Sequence, residues 1–130
     1  MELTINGQVY AFIFGMGFLR EINRRVSAPV DGLKDIEKAI GFRYFISGIV
    51  DGELEALVEV LEAANKGQNP RVTRALLDAY IDDENTDVDA LFDGVIDFLN
   101  KSNATKKVTT ELVDLAKAQK AQIAHQMEKN

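Results

Sequence analysis

The sequence contains no cysteine and no tryptophan among its 130 residues, and it has one histidine and two prolines. Without cysteine the chain forms neither disulfides nor thiolate metal sites, which is typical of a protein from a reducing compartment. No apolar run approaches the roughly 20 residues that a helix needs to cross a bilayer. The N-terminus also lacks the basic and apolar segments of a secretory signal. We therefore expect a cytoplasmic protein that does not contact the membrane.

Side chains that could build a catalytic or metal site are sparse or poorly spaced. His125 is the only histidine, and it lies among alanines and glutamines without the partners that a metal or nucleophile site needs. The acidic stretch 82–89 fails as a calcium loop. Counted from Asp83, position 6 of the loop requires glycine but is Val88, and position 12 requires glutamate but is Gly94. We therefore expect no enzymatic activity, no cofactor and no metal.

The formal net charge is −6, and an acidic surface repels the phosphate backbone of nucleic acids. The basic residues form two short clusters, which are Arg20, Arg24 and Arg25, and Lys101, Lys106 and Lys107. Neither cluster has the interleaved aromatics that single-strand binders use. We expect no nucleic-acid partner. A regulatory protein that mimics DNA stays open as an alternative, although the carboxylates alternate with lysines instead of forming one continuous face.

Residues 2–14 carry the pattern of a β-hairpin. Asn6-Gly7 is the dipeptide that best tolerates positive φ in a type I′ turn, and apolar strands flank it. The second strand is apolar on both faces, with Ala11 and Ile13 on one face and Tyr10, Phe12 and Phe14 on the other. Because an isolated two-stranded hairpin is marginally stable in water, we expect helices to cover one face and a partner to cover the other.

The remainder of the chain shows mainly helical apolar spacing. It predicts a helix over 18–26 and two short helical pieces within 30–52, although 42–50 could also be extended. Further helices are predicted from Asp51 to Lys66-Gly67, from Asn69-Pro70 to about Asp82, from a Thr86–Asp89 capping box to Leu99, and from Thr109 or Thr110 onward. The fold class is therefore mainly α with a small N-terminal antiparallel β-hairpin, a compact bundle of about five to six helices (α+β by strict class).

The chain divides into one globular domain, residues 1–107, and a C-terminal helix, residues 108–130. The segment 116–130 is rich in Ala, Lys and Gln, and its apolar residues beyond the alanines are Ile123 and Met127. A helix of this composition is either weakly docked or ordered by a partner.

Aromatic side chains concentrate in the first half of the chain. Aromatics usually fill cores, but an exposed group of them is typical of a protein-binding patch. The candidate protein-binding residues are Tyr10, Phe12, Phe14, Phe42, Tyr44 and Phe45. The two-sided apolarity of the hairpin also suggests a homo-oligomer.

Several stretches within residues 1–107 resemble, in their order and spacing, those of a known protein family. These stretches are 3–7, 12–15, 17–23, 48–52, 57–64, 73–76, 80–82, 91–96 and 101–107. In this order they resemble the tail assembly chaperones of long-tailed (siphovirus-type) bacteriophages and prophages of Gram-positive hosts.

The resemblance implies a non-enzymatic protein that binds the phage tape measure protein, keeps it soluble and helps recruit major tail tube subunits. It also implies action in the bacterial host cytoplasm, absence from the mature virion, and a short product beside a frameshifted longer one. The main alternative is a structural head–tail connector or tail completion protein, which would share the size and phage origin. A small enzyme is a further alternative, but no catalytic set of residues supports it.

Overall fold

The computed structural model describes residues 1–128, and these form six helices and two antiparallel two-stranded sheets. The elements in chain order are β1 (Glu2–Ile5), β2 (Gln8–Ala11), α1 (Met16–Asn23), β3 (Ser27–Pro29), β4 (Glu37–Ala39), α2 (Gly41–Val50), α3 (Leu54–Asn65), α4 (Arg74–Asp82), α5 (Val88–Lys101) and α6 (Lys106–Glu128). The predicted fold class is confirmed.

The N-terminal hairpin forms where Asn6-Gly7 predicts it. Asn6 and Gly7 have φ values of 52° and 75°, as a type I′ turn requires, and Leu3 pairs with Tyr10 across the strands. The hairpin buries its aromatic face, whereas Val9 and Ile13 on the other face are exposed. The helices therefore cover the aromatic side of β2, and the aliphatic side faces solvent.

The core lies where α2 and α3 pack against each other and against α1, with α5 closing one side. Its fully buried side chains include Ile22, Ile46, Ile49, Leu57, Leu61, Val95 and Leu99. Three phenylalanines link the hairpin to α2, because Phe18 lies 5.2 Å from Phe14 and 6.4 Å from Phe42 between ring centroids. Both pairs are edge-to-face, the geometry that aromatic rings favour.

Residues 27–39 differ from the prediction. A second hairpin, β3–β4, replaces the first of the two expected helical pieces, and Leu33 and Ile36 are exposed instead of forming a buried stripe. Gly32 and Asp35 have φ values of 79° and 61°, which are incompatible with a helix and suit turns. The second expected piece is helical. The helix α2 includes residues 42–50, for which the sequence also allowed an extended conformation.

Two helices begin later than predicted. The helix α4 starts at Arg74 instead of near Pro70, and the Thr73 hydroxyl caps it by accepting from the Leu76 N–H at 3.1 Å. The helix α5 is capped by the Asp87 carboxylate at 3.0 Å from the Ala90 N–H, not by Thr86. In each case a later side chain that also caps helices well takes the position, four residues after Asn69 in α4 and one residue after Thr86 in α5.

Other helix ends also differ in detail. Gly67, with φ of 85°, confirms the predicted end of α3, but that helix begins at Leu54 without a side-chain cap from Asp51. The helix α6 begins at Lys106, before the predicted Thr109, and Thr109 is buried within it. The helix α1 spans Met16–Asn23 instead of 18–26.

A network of ion pairs joins α1 to α3. The buried Glu21 carboxylate accepts hydrogen bonds from Arg24, from Arg25 at 3.0 Å and from Lys66 at 3.0 Å. Arg25 also contacts Glu59 at 2.9 Å and Glu62 at 2.5 Å. These cations, Arg24 foremost, lower the pKa of Glu21 to about 2 against the opposing effect of its burial.

We expect Glu21→Gln to lower the free energy of unfolding at pH 7 by about 1–2 kcal/mol, because three cations lose their charged acceptor. A lowered carboxyl pKa gives stability that is present above about pH 4.5 and is lost as the pH falls toward 2. The variant should therefore lose less stability than the unchanged protein between pH 5 and pH 2, measured by urea unfolding. Glu84→Gln, at an exposed position, is the control. The same acid dependence in the Glu21→Gln variant and the unchanged protein would contradict this assignment.

Candidate protein-binding surfaces

The structure places the six candidate binding residues in three environments, which are buried, half-buried and exposed. Tyr10, Phe12, Phe14 and Phe42 are buried in the core, and Phe45 is half-buried. Tyr44 is 59% exposed. Most of the predicted set therefore supports the surface from beneath, and the exposed apolar groups come largely from other residues.

One surface groove, which we call the hairpin groove, lies where the end of the hairpin meets α5. It has a volume of about 420 Å³. Its lining residues are Met1, Phe12, Ile13, Phe14, Gly15, Phe98, Lys101 and Ser102. The groove thus brings together two candidate residues, Phe12 and Phe14, with two exposed apolar side chains, Ile13 and Phe98.

Backbone and ring contacts fix the geometry of the hairpin groove. The Ser102 hydroxyl donates to the Phe14 carbonyl oxygen, and this joins the end of α5 to the segment after β2. The Ile13 N–H donates to the Ala64 carbonyl oxygen at 2.9 Å, which holds the same segment against α3. The rings of Phe14 and Phe98 lie 6.3 Å apart between centroids. Because α3 and α5 both anchor its walls, the groove is preformed.

The hairpin groove is apolar and exposed. Ile13 is 55% and Phe98 is 43% exposed, so both lose solvent contact if a partner occupies the groove. Lys101 is the charged lining residue, and it pairs with Asp97 at 2.8 Å. An apolar centre with a charged residue at its rim is typical of a protein-binding site.

Phe98 is a residue that the sequence did not single out. It lies at the edge of the apolar stripe of α5, beside the buried Val95 and Leu99. A large aromatic at the margin of such a stripe was the available signal, because it can neither reach the centre of the core nor face water without cost.

A second groove lies on α2 around Tyr44 and has a volume of about 490 Å³. It shares no lining residue with the hairpin groove, and it is lined by Ile40, Arg43, Tyr44, Ser47, Gly48, Asp51 and Glu53. The Tyr44 ring packs edge-on against Phe45 at 5.1 Å. Three charged side chains line this groove together with Tyr44, so the α2 groove is more polar than the hairpin groove.

Within residues 1–128, no three His, Asp or Glu side chains lie close enough together to hold a metal ion. No helix in the same range combines the length and apolarity needed to cross a membrane.

Comparison with known proteins gives one match. A family model described as phage tail assembly chaperone protein matches residues 2–113, which extend from β1 into α6. A search of curated proteins and a search of solved structures returned no similar protein. The match includes both strands of the hairpin and all of α5, and therefore the residues that line the hairpin groove beyond Met1.

Proposed function

We propose that this chain, which belongs to the phage tail assembly chaperone family, binds the tape measure protein of its phage before the tail assembles. In this role it keeps the tape measure protein soluble and helps to recruit major tail tube subunits. The role requires binding surfaces and no catalysis. It takes place in the cytoplasm of the bacterial host, and the protein is absent from the mature virion. We further propose a long-tailed phage or prophage of a Gram-positive bacterium as its source.

The observation that carries the proposal is the exposed apolar character of the hairpin groove. A long helical tape measure protein exposes apolar stripes, and one such stripe can lie in a groove whose anchors are Ile13 and Phe98. Phe12 and Phe14 form the floor beneath these anchors, so the groove holds its shape when it is empty. The buried aromatics of the candidate set act here as support, and Phe98 acts as the contact.

The remaining candidate residues lie away from this groove. Tyr44 and Phe45 are on α2, where Arg43, Asp51 and Glu53 make the surroundings polar. We propose a secondary contact at this position, with the tail tube subunits as its partner. We also propose self-association through the outward face of the hairpin. Val9 on β2 and Ile13, two residues beyond the end of β2, are both exposed on this face.

The double variant Ile13→Ser/Phe98→Ser is expected to lose most of its binding to the tape measure protein. Truncating a central apolar anchor typically costs about 2 kcal/mol or more, which is roughly 30-fold in affinity. The measurement is co-purification of the tape measure protein encoded beside this chain with a tagged form of each variant, and we expect at least a tenfold loss.

Tyr44→Ser is the matched control, because it removes an exposed aromatic of similar size from the other groove. It should retain tape measure protein. Circular dichroism and the urea midpoint establish that all variants are folded. Retention by the double variant together with loss by Tyr44→Ser would place the contact on α2 and overturn the assignment to the hairpin groove.

A further inference from the structure

The β3–β4 hairpin has one open strand edge, on β4. The Ile40 N–H donates to the Val26 carbonyl oxygen at 2.8 Å, so the next pair of the register, Ser27 with Ala39, is a non-hydrogen-bonded pair. Residues of such pairs turn their backbone N–H and C=O groups away from the partner strand. Ala39 and, by the same alternation, Glu37 present these groups at the outer edge of β4. No other backbone group within residues 1–128 bonds to them.

The outer edge of β3 is closed at the matching position. Pro29 faces Glu37 in the register, and proline has no N–H to offer to a further strand. A proline on an edge strand is one of the devices by which proteins block additional strand pairing. The hairpin can therefore be extended by a third strand on the β4 side and not on the β3 side.

A surface groove, which we call the β4 groove, adjoins this open edge. It has a volume of about 220 Å³, and its lining residues are Leu19, Asn23, Lys38, Ala39, Ile40, Phe42, Arg43 and Val108. Five of these are apolar. Since a cavity of about 150 Å³ already holds a benzene ring, the groove has room for one large apolar side chain. It meets the α2 groove at Ile40 and Arg43, which line both.

The polar groups of the β4 groove favour an acidic occupant. Its charged lining residues, Lys38 and Arg43, are both cations on a chain of net charge −6. Lys38 forms no ion pair within residues 1–128, and Arg43 pairs with Glu111 at 3.4 Å between two exposed side chains. The Asn23 side-chain oxygen accepts from the Phe42 N–H at 3.3 Å, which directs the amide NH₂ to other acceptors.

We infer that the β4 edge and the β4 groove bind an extended segment of another protein, in which apolar side chains alternate with carboxylates. The segment adds a strand to the hairpin through the backbone of Ala39, and one of its apolar side chains enters the groove. Its carboxylates pair with Lys38 and Arg43, whereas Glu37 lies at the other end of β4, outside the groove. The floor is fixed before binding, because α1 and α2 touch through their backbones at Gly41.

This inference does not rest on tape measure binding, because the hairpin groove and the β4 groove share no lining residue. Fluorescence anisotropy of a labelled synthetic peptide tests it on the full chain. The probe is a blocked seven-residue peptide with phenylalanine at its centre, valines two residues to either side and glutamates elsewhere. We expect saturable binding, weakened at least tenfold when lysines replace the glutamates. Methylation of one alternate set of backbone nitrogens should also weaken it at least tenfold, and methylation of the other set should not.

Substitutions in the hairpin test the same contact from the side of this chain. Ala39→Pro removes the outward N–H of β4 and should weaken peptide binding at least tenfold. Ser27→Pro is its matched control, because Ser27 lies directly opposite on β3, and it should leave binding unchanged. Lys38→Glu should also weaken binding at least tenfold, and Lys34→Glu, at an exposed position between the two strands, should not.

Circular dichroism and the urea midpoint establish that the variants are folded. Absence of peptide binding would overturn the inference, and so would equal binding by Ala39→Pro and Ser27→Pro. Sedimentation velocity distinguishes the other occupant of the edge. Association of copies that Ala39→Pro alone abolishes would assign the edge to a second copy and would overturn the choice of another protein as partner. Co-purification of the tape measure protein is scored separately, so that the two binding functions can fail independently.

Discussion

Gly41→Ala is expected to destabilise the protein by about 3 kcal/mol or more, because α1 and α2 touch at this residue through their backbones. A Cβ at position 41 would lie 2.0 Å from the carbonyl oxygen of Ile22 and 2.9 Å from that of Asn23. Both oxygens are backbone atoms in the last turn of α1, so rotation of a side chain cannot relieve the clash. Overpacking of this kind forces a backbone shift, and it would also disturb the bond from the Phe42 N–H to the Asn23 side chain.

Gly94→Ala is the matched control for Gly41→Ala, and it should have the opposite sign. Gly94 lies inside α5, and beyond its chain neighbours and the backbone of its own helix nothing lies within 4 Å of the position that its Cβ would take. Alanine in a helix interior is favoured over glycine by about 0.5–1 kcal/mol, so this variant should be more stable. Urea unfolding at pH 7 measures both. Equal effects of the two substitutions would contradict the close α1–α2 approach.

Asn65→Ala is expected to cost about 3–5 kcal/mol, because Asn65 is fully buried and holds three segments together. Its amide NH₂ donates to the carbonyl oxygens of Ala11 at 3.0 Å and Pro70 at 3.2 Å. Its side-chain oxygen accepts from the Val72 N–H at 2.6 Å and from Arg71 at 2.7 Å. Alanine would leave the buried N–H of Val72 and the partly buried carbonyl oxygens of Ala11 and Pro70 without these partners. An unpaired buried group costs about 1–3 kcal/mol.

The control for Asn65→Ala is Asn100→Ala on the exposed face of α5, where the asparagine accepts one long bond of 3.4 Å from Thr110. This change should stay within about 0.5 kcal/mol of the unchanged protein. Thermal and urea unfolding report the free energies. If Asn65→Ala lost no more stability than Asn100→Ala, the buried amide would not be the link between the hairpin and α3 that the distances indicate.

Local chemistry explains which elements the sequence could predict. The Asn6-Gly7 turn and the Gly67 helix end need positive φ, and few residues other than glycine and asparagine supply it. Both features were therefore predictable. The β3–β4 hairpin was not, because Leu33, Ile36 and Ile40 happen to follow helical spacing. The positive φ values of Gly32 and Asp35 produce turns between β3 and β4. The spacing of apolar residues carries no information about these backbone angles.

The candidate binding residues show a different limit. Alternation in β2 correctly separates the two faces of the strand, but when both faces are apolar it does not say which one is buried. Here the larger aromatic side chains fill the core, and Val9 and Ile13 remain exposed. Phe98 joins Ile13 only because α5 packs beside the end of the hairpin. That approach depends on the tertiary fold, which a local sequence pattern does not report.

The most direct measurement is co-expression of this chain with the tape measure protein encoded beside it, followed by purification through a tag on this chain. We expect a soluble complex, and we expect tape measure protein expressed alone to be insoluble. We also expect purified phage particles to lack this chain. Failure to recover a complex, together with detection of this chain in mature particles, would contradict the chaperone function and would favour a structural connector or tail completion protein.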